Sequence, residues 1–514
     1  MKPIYLTSFF FFSFVLIFLL FPLVNLTNIA ISQSNLSSLS GMIPLSMIGF
    51  TYFQALLSTV LAGCVGVPLA IFCADNEFFG KKIFIRLCEV TFFMPTLIVV
   101  LAIIGVWGRN GWFGKGILPL NLYGWFGVLL AHVFFNFSIF FKLVGQSFKD
   151  TDRSEEKISL SLGMGRWRTF FLVTQLKLRS SITQSFVLVF LYCSSSFLIL
   201  LLLGGGPRFS NLEVAIYQAV KVDLDLPLAI CLATIQVGVG LFIQIVTKSN
   251  GITPFAISKR FQSPIYACKS RLMKTLTVGG AWALIILLVG LPLLNVLISA
   301  LPGFSHLDLW DLIRALLTSC LLGFKVAVTS LLLAFCATYI SRHSRTFWVG
   351  RLVSVICTLP ISLSTMVFGL AIMVSFPSSG LLFRDEMWGV VCVQTLSVLP
   401  LSFRILNESI LKIDRAMYFT AESLGANKLQ QLFFIEIPLM KRSIFLVAAM
   451  AFGISMGEVG AVLLFESEGN MTLPLSMFKL IGKYQFDQAQ AIGIILLLVM
   501  VFIFAMKEKW ENLV

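Results

Sequence analysis

The chain is a succession of long apolar runs separated by short polar segments. A helix needs about 20 consecutive apolar residues to cross the hydrocarbon core of a bilayer, so runs of this length are typical of transmembrane helices. The pattern predicts twelve such helices, at 8–31, 51–74, 84–107, 124–147, 183–203, 226–247, 276–301, 317–340, 351–375, 386–410, 443–465 and 489–506. The polar segments between them are too short for a large extramembrane domain. We therefore expect an all-α polytopic membrane protein.

The composition of the chain strengthens this prediction. Of the 514 residues, 58% are hydrophobic and only 12% are charged, whereas roughly a quarter of the residues of a soluble domain are charged. The first apolar run is longer than the roughly 7–15 residues of a signal-peptide core, and no clear A-x-A cleavage site follows it, so we expect a retained helix. The ten cysteines are scattered without a C-x-x-C pair, which favours packing roles over disulfides or metal thiolates.

The net charge of +14 is distributed unevenly over the polar segments. Lysine and arginine concentrate on alternate segments, as the positive-inside rule requires of cytoplasmic loops. The basic segments lie near 81–82, 149–179, 248–274, 342–345, 412–444 and 507–509. The distribution predicts that both termini are cytoplasmic, and it gives no indication of nucleic-acid binding.

One polar segment occurs twice. Residues 152–182 align without a gap with residues 414–444, at an offset of 262 positions. The matched pairs include Asp152/Asp414, Arg153/Arg415, Leu162/Leu424, Gly163/Gly425, Phe171/Phe433, Arg179/Lys441 and Ile182/Ile444. A period of about half the chain indicates a duplication rather than a solenoid. We predict two repeated six-helix halves, at 1–250 and 276–514, joined by a basic cytoplasmic linker at 251–275, with the repeated loops at 150–182 and 412–444.

Local sequence rules predict the fold of the second copy. Asp414 can cap a short helix that continues to Leu424, and Gly425 suits the left-handed conformation that follows a helix end. Asn427 can then cap a second helical turn before the chain reaches Pro438. The apolar side of this turn is formed by Leu429, Leu432 and Phe433.

The first copy follows the same rules. Ser154 or Asp152 is the expected cap, and Gly163 is expected to end the helix. Its apolar side is formed by Trp167, Phe170 and Phe171. An exposed apolar surface on a cytoplasmic loop requires a partner. An amphipathic linker lying on lipid is the alternative, but the regular repetition favours two docking surfaces for one kind of partner.

The repeated segments resemble a known family. The order of elements is Leu-Gly, an aromatic-rich helix, a proline and a basic residue. This order is similar to the signature loop in permease subunits of binding-protein-dependent ABC importers. The resemblance implies a coupling helix that contacts a separate ATPase subunit through Leu162, Gly163, Trp167, Phe171, Leu424, Gly425, Leu429, Phe433 and Pro438. This chain departs from that pattern in two ways. The family's Glu-Ala-Ala start is lost at 157–159 and at 419–421, and the first copy has Leu176 where the second copy has Pro438.

Further stretches narrow the resemblance to the fused permeases of thiamine or thiamine pyrophosphate importers. They are WGRNGW at 107–112, LLAHVFFN at 129–136, LGGGP at 203–207, AIYQA at 215–219, SMGEVG at 455–460 and TLP at 472–474. The likeness covers nearly the whole chain. It implies a bacterial inner-membrane complex with two copies of a cytoplasmic ATPase and one periplasmic thiamine-binding protein.

The chain itself offers no residues for chemistry. It lacks a G-x-x-x-x-G-K-[ST] phosphate loop, and its three histidines have no spacing suited to a metal site. We expect a transport subunit without enzymatic activity, metal or cofactor. A ferric-iron importer permease, an ion-coupled secondary transporter and a membrane scaffold are the alternatives, and the paired basic loops favour the ATP-driven importer.

Polar residues within the apolar runs are candidates for the translocation pathway or its gate. His132 and Asn136 are spaced i, i+4 and share one helix face. Gly205 lies in a glycine run that favours a sharp turn, and Tyr217 is an interfacial aromatic residue. Glu458 lies inside an apolar run, where a charge is costly. Each has a structural alternative, namely bonding between helices, turn formation or an interfacial position.

Overall fold

The computed structural model describes residues 3–33, 45–91, 94–114, 121–206, 209–248, 270–344, 346–376, 387–466 and 471–513. All regular secondary structure in these ranges is helical, which confirms the all-α fold class. Most of the predicted linker at 251–275 lies outside the described residues.

Nine helices in the described part of the chain are long and apolar enough to cross a bilayer. They are Thr7–Ser32, Ser46–Asp75, Trp125–Asp150, Leu226–Val246, Leu272–His306, Leu309–His343, Met387–Leu411, Lys428–Gly457 and Phe486–Ile503. If the pair Trp348–Ile361 and Thr365–Ser375, which is bent by 103°, counts as one broken span, the number is ten. The twelve continuous helices expected from the sequence are therefore not all present as such.

Four of the expected helices, at 84–107, 183–203, 351–375 and 443–465, are each interrupted. The first consists of Lys81–Val90 and Thr96–Trp107, with Pro95 in an extended conformation immediately before the second part. Proline has no N–H and disfavours the helical conformation in the residue before it, so a continuous helix cannot form easily there.

Two of these breaks are related by the repeat. Gln175–Ser194 is followed by Leu198–Leu203, and Ile437–Gly457 is followed by Gly460–Leu464. Ser196 in the first break lies 262 positions before Glu458 in the second. The duplication thus includes an interruption that an apolarity pattern alone does not indicate.

The chain forms two compact units. Unit 1 comprises Met1–Ile43, Leu212–Gln244 and Ala300–Val514, and unit 2 comprises Pro44–Asn211 and Ile245–Ser299. Neither unit coincides with a half of the duplicated sequence, because each includes segments from both. The halves 1–250 and 276–514 remain a prediction about the repeat.

Unit 2 is built around three helices, Leu45–Asp75, Trp125–Asp150 and Gln175–Ser194. Their facing sides bury a cluster of Ala55, Ala62, Ile139, Phe140, Val144, Phe148, Leu178, Val189 and Cys193. A Cβ at Gly66 would overlap the Phe137 carbonyl oxygen, so this glycine lets the first two helices approach closely. The remaining helices are Lys81–Val90, Thr96–Trp107, Ser154–Ser161, Arg166–Thr169, Phe170–Thr174, Leu198–Leu203, Arg271–Ile285, Ile286–Gly290 and the start of Leu291–Gly303.

Unit 1 has an equivalent core of Leu309–His343, Met387–Leu411 and Ile437–Gly457. Helical residues 3–33 belong to this unit and pack against Leu309–His343 and Thr365–Ser375, and Asn25 donates a 3.1 Å hydrogen bond to Ser375. The other helices are Leu212–Lys221, Leu226–Lys248, Phe304–His306, Phe347–Thr358, Leu359–Ser362, Thr365–Ser375, Arg415–Ser423, Lys428–Gln431, Leu432–Glu436, Gly460–Leu464, Leu473–Gly482 and Phe486–Leu513.

Candidate functional site

Each copy of the repeated segment folds as an elbow of two short helices. The first elbow, residues 152–174, contains the helices Ser154–Ser161 and Arg166–Thr169 and the π-helical turn Phe170–Thr174. The second elbow, residues 414–436, contains Arg415–Ser423, Lys428–Gln431 and the π-helical turn Leu432–Glu436. The second helices and the π turns begin and end 262 residues apart. The repeat in sequence is therefore a repeat in backbone structure.

The turn of each elbow is made by a glycine in the left-handed region. Gly163 and Gly425 both have φ of +84°, as the sequence predicted. A Cβ at either position would meet no atom within 4 Å. Glycine is thus favoured by backbone conformation and not by lack of space. The turns close with hydrogen bonds from Met164 N to Ser159 O at 3.0 Å and from Ala426 N to Ala421 O at 2.9 Å.

The predicted helix caps are present in the second elbow. Asp414 accepts the N–H of Ala416 at 3.0 Å. Asn427 and Gln430 form a reciprocal capping box, with both hydrogen bonds at 2.8 Å. In the first elbow Asp152 accepts the N–H of Ser154 at 3.2 Å, although Arg153 is the residue immediately before the helix.

Both elbows present an apolar surface. Leu162 is 81% exposed and Leu424 is 83% exposed. The Trp167 and Phe171 rings stack with their centroids 6.3 Å apart, and both side chains are exposed. The same side of the second elbow exposes Leu429, Phe433 and, in the first turn of the next helix, Pro438. Apolar groups exposed side by side in this way are typical of an interaction surface.

The first elbow is attached to unit 2 by buried charge. The Arg153 guanidinium pairs with the buried Asp75 carboxylate and lies 4.1 Å from the Phe148 ring centroid. Lys177 Nζ contacts the buried Glu156 carboxylate at 3.0 Å. A buried pair is strongly destabilised when one partner is removed, because the other charge remains. These two contacts therefore fix the position of the elbow.

The second elbow is attached to unit 1 by other groups. His343 Nε2 lies 3.1 Å from Glu436 Oε1, and Arg342 donates to the Ile413 carbonyl oxygen at 3.3 Å. On its outer side Lys428 hydrogen-bonds to Glu422 and lowers the pKa of that carboxyl below its ordinary value.

A polar cluster lies in the interior of unit 2 beside the break at Ser196. In this histidine cluster (Gln54, Ser58, His132, Asn136, Cys193), His132 Nδ1 lies 2.9 Å from Ser58 Oγ. Asn136 donates to Cys193 Sγ at 3.4 Å, and Gln54 donates to the Cys193 carbonyl oxygen at 2.9 Å. The structure thus brings the predicted residues His132 and Asn136 together, both buried.

An acidic cluster lies at the equivalent break in unit 1. Glu458 Oε1 accepts from Thr365 Oγ1 at 2.8 Å, and its Oε2 accepts from Gln394 Nε2 at 3.3 Å. The N–H of Ala461 also donates to Oε2 at 3.2 Å, so Glu458 satisfies the start of the helix after the break. Gln394 in turn accepts from Ser455 Oγ. Gln394 and Ser455 lie 262 residues after His132 and Cys193.

The acidic cluster also includes three residues that the sequence analysis did not mention, namely Glu213, Gln236 and Ser364. Glu213 is fully buried in Leu212–Lys221 and accepts a hydrogen bond from the side chain of Gln236. Ser364 lies within hydrogen-bonding reach of the same carboxyl group. The available signal was a lone carboxylate within a run of otherwise apolar residues at 212–216.

The two remaining candidates lie in short segments. Gly205 and Gly206 adopt positive φ values of +73° and +113° after the helix Leu198–Leu203. The predicted sharp turn is therefore confirmed. Tyr217 lies in Leu212–Lys221 with its ring partly buried. The roles of these residues in transport remain predictions.

The sequence matches a known family over most of its length. The profile described as a binding-protein-dependent transport system inner membrane component matches twice, at residues 66–250 and 327–508. The two matches contain the first and the second elbow, respectively.

Individual relatives are similar over nearly their full length. The thiamine transport system permease protein ThiP of Haemophilus influenzae is 30% identical, across 91% of this chain and 88% of the relative. The proteins of the same name from Escherichia coli and Brucella abortus are each 28% identical, across 90% and 87% of this chain and 88% and 84% of the relatives. The chain therefore belongs to the binding-protein-dependent transport system inner membrane components, and it is an inner-membrane permease subunit.

Proposed function

We propose that this chain is the transmembrane permease of an ATP-driven importer that moves thiamine or thiamine phosphates from the periplasm to the cytoplasm. The coupling part of the proposal rests on the two elbows, which have the same backbone fold and expose apolar groups at equivalent positions. The cargo is proposed from the relatives, which are named as thiamine transport permeases and are similar to this chain over nearly its whole length.

Each elbow is proposed to dock one copy of a cytoplasmic ATPase, so that one chain binds two copies. The contact residues are Leu162, Gly163, Trp167 and Phe171 in the first copy and Leu424, Gly425, Leu429, Phe433 and Pro438 in the second. The partner hydrolyses ATP, and this chain converts the movement of the elbows into transport without an ATPase site of its own. A periplasmic thiamine-binding protein delivers the cargo.

The proposed topology has twelve crossings in two six-helix halves, with the elbows and both termini in the cytoplasm. Two sets of helices in the described part of the chain support this topology. Nine are long and apolar, and three are interrupted, namely Lys81–Trp107, Gln175–Leu203 and Phe347–Ser375, which together make twelve. The alternation of basic segments along the sequence gives the orientation.

The translocation pathway is proposed to include His132, Asn136, Gly205, Tyr217 and Glu458. His132, Asn136 and Glu458 belong to the polar clusters at the helix breaks, where the otherwise apolar interior offers hydrogen-bonding groups. Gly205 and Tyr217 lie in the short segments that would gate it. Transport would proceed by alternating access of such a pathway to the two sides of the membrane.

The test is uptake of labelled thiamine by proteoliposomes that contain this chain, its ATPase and its binding protein. Accumulation that requires all three proteins and ATP is the expected result. Uptake of ferric iron in place of thiamine would overturn the cargo, and uptake by this chain without ATP would indicate a secondary transporter.

A further inference from the structure

The acidic cluster of unit 1 holds two carboxylates whose hydrogen bonding differs. Both oxygens of Glu458 accept hydrogen bonds, which are donated by Thr365, Gln394 and the Ala461 backbone N–H. Glu213 Oε1 accepts from Gln236, and Ser364 lies within reach of the same carboxyl group without a hydrogen bond to Oε2. Within the described part of the chain, Glu213 Oε2 and Gln236 Oε1 are buried without a hydrogen-bond partner.

These two oxygens belong to side chains that are bonded to each other. Both are acceptors, and a buried acceptor without a donor is unfavourable. Glu458 is near enough to act electrostatically on Glu213, so the cluster brings two buried carboxyl groups close together. The ion pairs formed by the described residues include neither carboxylate. The missing group is therefore a hydrogen-bond donor or a cation.

We infer that Glu213 and Gln236 form the contact that recognises the positively charged, N–H-bearing part of the cargo when the permease opens. The inference rests on the proposed function. Thiamine carries a permanently charged thiazolium ring and an amino group on its pyrimidine, which match a carboxylate and an amide oxygen. Glu458 holds the helix break in place, and phosphate groups, which offer acceptors, would find no donor in the two unpartnered oxygens.

A buried glutamine outside both polar clusters provides the matched control. Gln490 lies in the helix Phe486–Leu513 and is buried. It also has a buried amide oxygen without a partner among the described residues. Gln490→Leu therefore removes a buried amide while it leaves both carboxyl groups and the histidine cluster in place.

The experiment is equilibrium binding of radiolabelled thiamine to the purified permease–ATPase complex in nanodiscs, without the binding protein. We expect saturable binding, with Kd increased by about tenfold to a hundredfold in Glu213→Gln, since hydrogen bonds to charged groups contribute on that scale. Gln236→Leu should weaken binding in the same direction, and Gln490→Leu should not. Thiochrome, which lacks the positive charge, should compete poorly.

Uptake assays of the same preparations separate this inference from the proposed function. If the wild-type complex imports thiamine with ATP but Glu213→Gln binds thiamine as tightly as wild type, the inference is wrong and the proposed function stands. An equal loss of binding in Gln490→Leu would also overturn it. If the wild-type complex imports no thiamine, the proposed function itself fails. Thermal unfolding of each variant confirms that the complex is intact.

Discussion

The two copies of the repeat agree at the elbows and differ at the helix breaks. At the elbows the helices, the left-handed glycines and the exposed leucines recur at the same offset. At the breaks the equivalent positions have changed chemistry, and the pairs are His132/Gln394, Cys193/Ser455 and Ser196/Glu458. A surface preserved twice is suited to two copies of one partner. An interior that differs between the copies is suited to one asymmetric cargo.

A second difference lies directly beneath the elbows. The first is fixed by the buried Arg153–Asp75 pair and the second by His343 and Glu436. The position equivalent to Asp75 is Ala337. The apolar surface that we propose for docking has therefore been kept, while the contacts that attach each elbow to its unit have diverged.

The largest effect is expected from Gly163→Val and Gly425→Val. A side chain at a φ of +84° costs about 1–2 kcal/mol in the left-handed region, and more for a β-branched residue. Because the turn holds both helices of the elbow, we expect each variant to lose most ATP-driven uptake, to a similar extent.

Gly165→Val is the matched control. Gly165 lies in the same elbow with φ of −67° and no atom within 4 Å of an added Cβ. It should retain uptake. Normal uptake by a well-expressed Gly425→Val variant would contradict the coupling role of the elbows.

A smaller loss, of about tenfold in the uptake rate, is expected from Glu458→Gln. The amide has one acceptor oxygen where the carboxyl group has two, so the hydrogen bonds that hold the helix break are weakened. Ser196→Ala changes the equivalent position of the first repeat and should leave uptake nearly unchanged. Equal effects of the two substitutions would show that the chemical difference between the breaks has no role in transport.

Arg153→Met should act on stability more than on transport. It leaves the buried Asp75 carboxylate without its partner, at a cost of about 3 kcal/mol. We expect a lower unfolding temperature in detergent. The double variant Arg153→Met with Asp75→Asn should recover part of the loss, and no recovery would mean that the pair is not the source of the effect.

The smallest effect is expected from His343→Gln. Glutamine retains a donor that can reach Glu436 in place of His343 Nε2, and the net contribution of one hydrogen bond is only about 1 kcal/mol. Thermal unfolding should show a smaller decrease than for Arg153→Met. A larger decrease would reverse the ranking of the two attachments.

The elbows could be predicted from the sequence because local rules determine them. Gly425, Asp414 and Asn427 act on residues within one or two turns, and the structure has the expected turn and caps. The π-helical turns at 170–174 and 432–436 have no comparable local signal, and the sequence did not indicate them.

The helix breaks and the acidic cluster depend on contacts between distant residues. Asn211 donates to the Ser196 carbonyl oxygen at 2.7 Å in one break, and Thr365 donates to Glu458 in the other. Glu213 meets Gln236 across 23 positions. Hydropathy and spacing carry no information about such partners, so they predict continuous helices and leave Glu213 unnoticed.

The most direct test of the duplicated docking surface is the mass of the complex purified through a tag on this chain after co-expression with its ATPase. If the two elbows are equivalent docking surfaces, native mass spectrometry should show one permease chain with two ATPase copies. They also predict that Gly163→Val and Gly425→Val each weaken the binding of one copy. A wild-type complex with a single ATPase copy would contradict the account.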